Sequence, residues 1–108
     1  MFKFTLKPTT NLRSICDYLI VKAIQDGDPI NHLKLQKILF ISFGWYLIKY
    51  DKRLFEDDIK ALEYGIVIKS VYDKYKDFGF RQINKTESSD RPNEDISKFL
   101  DSIWDGYG

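Results

Sequence analysis

The sequence predicts a mainly α fold: a compact helical domain around a buried central helix, with at most a short two-stranded β element near residues 53–64. Three observations predict it. The stretch from Leu33 to Leu47, LKLQKILFISFGWYL, is apolar on nearly every side of a helix. Segments on either side of it repeat apolar residues at three- and four-residue spacing. The length of 108 residues suffices for one core but not for two, so residues 1–108 are read as a single domain.

The first helix is expected over residues 9–26. Thr9, Thr10 and Asn11 offer N-caps, Leu12, Ile15, Cys16, Leu19, Ile20 and Ala23 form one apolar face, and Gly27 ends it. A turn follows, Asp26-Gly-Asp-Pro-Ile-Asn, in which Asn31 can cap a second helix from His32 to about Tyr50. On that helix Leu35, Ile38, Leu39, Phe43 and Tyr46 make one face, while Phe40, Ile41, Trp45, Leu47 and Ile48 cover most of the remainder. Its middle is therefore expected to be enclosed on several sides. Gly44 in the middle of a helix costs roughly 1 kcal/mol against alanine, and a close contact there is the expected reason.

Beyond Tyr50, Asp-Lys-Arg is a polar turn, and Ile59–Tyr64 alternates as a short strand that Gly65 ends. Val67, Val71, Tyr72, Tyr75 and Phe78 return to helical spacing up to Gly79, which predicts a third helix of about three turns. Residues 84–95, NKTESSDRPNED, lack large apolar side chains and read as a loop. The chain finishes with Ile96, Phe99, Leu100, Ile103, Trp104 and Tyr107, an apolar stripe that must be covered. A homodimer through that stripe is one expected way to cover it.

Composition narrows the function. Seventeen Lys and Arg against sixteen Asp and Glu leave a net charge of +1, which supplies no overall field to draw in a polyanion or an anionic membrane. The longest uncharged run, Ile38–Ile48, is far short of the ~20 residues a spanning helix needs. No signal peptide is recognisable near Met1, and the single Cys16 allows no disulfide framework, so a cytoplasmic location is expected. Catalytic chemistry is thin. His32 is the only histidine, Cys16 lies on an apolar face, and no glycine-rich phosphate loop is present. Glu56, Asp57, Asp58 and Glu63 with Lys60 nearby could hold a magnesium ion, but adjacent acids on a turn are ordinarily just solvated. Neither an enzyme nor a cofactor is expected.

The segment from Asn31 to Tyr75 resembles the Panacea domain, the SocA-like antitoxin family. The matching residues are Leu33, Lys34, Leu35, Gln36 and Lys37; Gly44, Trp45, Tyr46 and Leu47; Leu54 and Phe55; Ala61, Tyr64, Gly65 and Val67; and Tyr72. Two positions depart from the family pattern: Ile66 stands where a proline is usual after the glycine, and Phe43 where a histidine often precedes the Gly-Trp pair. Relatives commonly continue with further helices past Tyr107-Gly108, so a C-terminally shortened member is expected.

The resemblance implies a mostly helical antitoxin or antitoxin-like adaptor of bacterial or phage origin. It would bind and neutralise a cognate toxin protein, with some relatives handing the toxin to a Clp-type protease. Expected partner-binding residues are Lys34, Lys37, Tyr64, Tyr72, Trp104 and Tyr107, since aromatic side chains dominate interface hot spots. Trp104 and Tyr72 could instead belong to the core. A DNA-binding autoregulator of a toxin-antitoxin operon is the alternative, using Lys34, Lys37, Lys49, Lys52 and Arg53 as a basic edge. A base-reading helix needs a polar outer face, and the second helix is mostly apolar, which makes nucleic acid the weaker expectation.

Overall fold

The computed structural model describes residues 11–56, 59–62, 65–79, 81–83 and 91–107. Helix α1 spans Leu12–Gln25, with the Asn11 side chain accepting from the Ser14 N–H at 2.8 Å. Thr9 and Thr10 lie outside the described residues. The helix stops where Gly27, at φ +77°, takes the left-handed conformation that glycine adopts without strain. Helix α2 covers His32–Tyr50, and Asn31 accepts from the Lys34 N–H at 2.9 Å. Its C-terminal cap is Asp51, left-handed at φ 55°, where the short polar side chain is better tolerated than most.

The expected short two-stranded element is present, set a few residues later than its expected bounds. Strand β1, Ile59–Leu62, pairs antiparallel with β2, Gly65–Ile68, in the register Ile59 to Ile68 and Lys60 to Val67. The run Ile66-Val67-Ile68 thus forms a strand rather than opening a helix, as its β-branched side chains favour. Helix α3 is only Lys69–Tyr75, continued by a 3₁₀ turn over Lys76–Phe78. Helix α4 runs Glu94–Tyr107, starting where Asn93 accepts from the Ile96 N–H at 2.9 Å.

Helix α2 lies at the centre, packed by α1, α3, α4 and the hairpin. Leu35, Ile38 and Leu39 face Ile15, Leu19, Ile20 and Leu100 in one buried cluster with Leu54 and Phe55, all at 1% exposure or less. Phe43 meets Phe55 with ring centroids 5.0 Å apart, and Tyr46 packs edge-on against Phe99 at 5.1 Å. The Leu-Phe pair after α2 therefore plugs the core.

Three expectations are corrected here. Helix α2 is not enclosed on the several sides expected: Leu33, Phe40, Trp45, Leu47, Ile48 and Tyr50 are all exposed, Ile48 at 76%. Its buried residues, among them His32, Leu35, Gln36, Leu39, Ser42 and Tyr46, share one side of the helix, and its neighbours cover that side. Gly44 makes no close contact either; a Cβ placed there would meet nothing within 4 Å. Finally, most of the C-terminal stripe is covered by the chain itself: Ile96, Phe99, Leu100, Ile103 and Trp104 are buried, and only Tyr107 at its end is left half-exposed, so the stripe does not need a second molecule to cover it.

Candidate protein-binding surface

The leucine-lysine-leucine-glutamine-lysine start of α2 divides its residues between inside and outside. Leu35 and Gln36 point inward, whereas Leu33 and Lys37 are exposed. Gln36, 7% exposed, clamps the end of the hairpin: the Ile68 N–H donates to its Oε1 at 2.9 Å, and its Nε2 donates to the Ile68 carbonyl at 3.2 Å. That pair of bonds fixes which end of the amide is nitrogen. The same Nε2 lies 3.1 Å from His32 Nε2. An amide nitrogen can only donate, so His32 Nε2 accepts, and the ring is the neutral tautomer protonated at Nδ1.

His32 is 6% exposed, and burial pushes its pKa below the ordinary 6.5. Below pH 6.5 the unfolded chain takes up a proton that the folded ring resists, so stability present above 6.5 is lost as the pH falls through it. Thermal melts at pH 7.5 and 5.5 should differ by up to about 1.4 kcal/mol per pH unit below the ordinary value. In His32→Gln that slope should flatten; an unchanged slope would place the proton elsewhere.

Along the edge where α2 meets α4, aromatic and cationic groups interleave. Lys34 Nζ sits 5.7 Å above the Trp104 ring, whose Nε1 donates to Asp26 Oδ2 at 2.7 Å. Trp45 Nε1 donates to the Tyr107 hydroxyl at 3.2 Å, and both residues are 49% exposed. On the neighbouring α1–α4 seam the Tyr18 hydroxyl donates to Asp101. Burial, then that bond, pushes the Tyr18 phenol up to about 12. Lys22 pairs with the same carboxylate at 3.1 Å, and the Arg91 guanidinium covers the Tyr18 ring at 5.2 Å.

Of the residues singled out by sequence, the structure brings Lys34, Trp104 and Tyr107 to the α2–α4 edge and leaves Lys37 exposed on α2. Tyr72 lies apart, half-buried on α3 with its ring 5.7 Å from His32 and Lys76 Nζ 6.0 Å from it. Tyr64 lies outside the described residues. Trp104, at 7% exposure, is a core residue with only its rim in reach of a partner. Phe40, Trp45, Leu47 and Ile48 are the exposed residues that sequence reasoning assigned to the interior. Leu33, Lys37, Phe40, Gly44 and Leu47 follow a four-three spacing along one line of the helix, which gathers them on one side without telling whether the fold covers it.

Cys16 is buried, and no group of three or more His, Cys, Asp or Glu among the described residues could hold a metal. Asp57, Asp58 and Glu63 of the acidic turn lie outside the described residues. An open cleft of about 440 Å³ between α2 and α4 is lined by aromatic and charged side chains, among them Tyr46, Tyr50, Phe99, Lys49 and Asp95, with Ser102 also at its wall. Among the described residues no helix is long and apolar enough to cross a membrane.

A family model described as antitoxin SocA-like, Panacea domain, matches residues 35–106. No curated protein and no solved structure matches the chain.

Proposed function

The chain belongs to the SocA-like antitoxin family defined by the Panacea domain, and from that premise we propose that it is an antitoxin or antitoxin-like adaptor that binds and neutralises a specific toxin protein. The family match over residues 35–106 carries the reading. It is supported by the half-exposed Trp45–Tyr107 pair at the α2–α4 edge, because Trp and Tyr supply much contact area at little entropic cost. Tyr107 and Lys34 are the proposed contacts at that edge, with Trp104 beneath steadying the lysine. Lys37, Tyr64 and Tyr72 extend the proposed contact set, and delivery of the toxin to a Clp-type protease is its proposed further consequence.

The test is co-expression with the product of the adjacent gene. A stoichiometric complex and restored growth are expected, and Tyr107→Ala should weaken the complex about tenfold or more, as loss of a hot spot does. The absence of both the complex and the rescue would overturn the proposal.

A further inference from the structure

We propose that the outer face of α2 is a self-association surface on which a second copy of this chain lays its own α2 antiparallel, the two helices crossing at Gly44. The glycine is the first indication. It lies mid-helix, where glycine is unfavourable, and a Cβ there would meet nothing within 4 Å of its own fold. The fold therefore gives no reason for it, whereas a neighbouring helix crossing closely there would.

The residues around Gly44 supply the second. Leu33, Phe40, Leu47 and Ile48, from 41% to 76% exposed, flank it on one face. At roughly 100 Å² for each half-exposed large apolar side chain, these four present on the order of 400 Å², a patch of the size that marks interaction sites on soluble monomers. It is about half of the ~800 Å² per partner of a standard interface, the remainder coming from the polar ends and margins of the helix.

Charge selects the occupant and its direction. Helix α2 carries Lys37 seven positions before Gly44, and Asp51 caps it seven positions after; both are exposed, and neither forms an ion pair among the described residues. A two-fold axis level with Gly44 sets each residue beside the one equally far beyond Gly44 on the other copy. Phe40 then lies level with Ile48 of the partner subunit, and Lys37 with Asp51 of the partner subunit, twice over by symmetry. A parallel pair would set lysine against lysine and aspartate against aspartate. The stripe is thus complementary to itself in one orientation only, as an isologous contact requires.

Sedimentation of the full chain alone, from micromolar to millimolar concentration, tests this independently of any toxin. A species of twice 12.8 kDa is expected. Gly44→Leu should return it to monomer while helix content by circular dichroism is kept, because the added side chain has room within one copy. Lys37→Asp should weaken the dimer about tenfold, and Lys37→Asp with Asp51→Lys should restore it. A monomer at every concentration would overturn the proposal, and is the result expected if residues 1–10 or a different protein cover the stripe. A dimer that survives Gly44→Leu, or a charge-swapped variant as weak as Lys37→Asp alone, would overturn it equally.

Discussion

Replacing Trp104 by alanine should destabilise the protein by about 4 kcal/mol, the usual range for emptying a buried tryptophan site. For a domain of this size that lowers the melting temperature by roughly 20 °C. The ring is 7% exposed, its Nε1 donates to Asp26 Oδ2 at 2.7 Å, and Lys34 rests on its face. Three elements converge there: α4, the turn after α1, and the start of α2. Trp104→Phe separates the contributions, because it keeps most of the ring volume and loses the bond to a carboxylate, about 1.5–2 kcal/mol. The pair also distinguishes the two readings of this residue. A core tryptophan predicts a large loss in Trp104→Ala and unchanged partner binding in Trp104→Phe; an interface tryptophan predicts the reverse. Calorimetric melting alongside a binding titration checks both.

Gln36→Leu should cost about 3 kcal/mol despite exchanging a polar side chain for an apolar one of similar size. Ile68 is 1% exposed, its N–H depends on the Gln36 Oε1, and the Gln36 Nε2 serves both the Ile68 carbonyl and His32 Nε2. Leucine leaves the N–H buried and unpaired at about 1–3 kcal/mol and takes the donor from the buried His32 ring, while the carbonyl keeps the intrahelical bond of an N-cap residue; apolar burial of the leucine offsets part of the loss. Gln36→Glu is the sharper control: its carboxylate accepts from the Ile68 N–H but cannot donate to the carbonyl. It should fall between wild type and Gln36→Leu near pH 4, where the acid can be protonated, and drop further at neutral pH. Urea denaturation across that range measures the order, and stability of Gln36→Leu equal to wild type would remove the clamp from the account.

The helices were legible where chemistry marks their ends. Asn11 and Asn31 are caps in the sequence and caps in the fold, and Gly27 stops α1 as its type suggests. Helix α4 was legible because its apolar stripe stands against a polar face, so burying one side was the single solution. The same logic fails on α2. A helix apolar all round says that every side avoids water, but not which side its own chain covers, and Phe40 and Ile48 look no different in sequence from Ile38 and Leu39. The start of α3 was misplaced because Val67 and Val71 share helical spacing by chance, while pairing of Val67 with Lys60 makes it a strand residue. Of the candidate contacts, the Lys34–Trp104 stack joins residues 70 positions apart, a proximity that only tertiary packing reveals.

The hold of Gln36 on Ile68 has a consequence for how the molecule breathes. Two four-residue strands are too small to persist alone in water, and here the second is tied at its end to the most deeply anchored helix by a single side chain. The ribbon cannot peel away while α2 stays put unless that amide lets go of two backbone groups at once. Opening the ribbon at that end costs both bonds together, so the Ile68 amide should exchange with solvent more slowly than in a ribbon of this size left free.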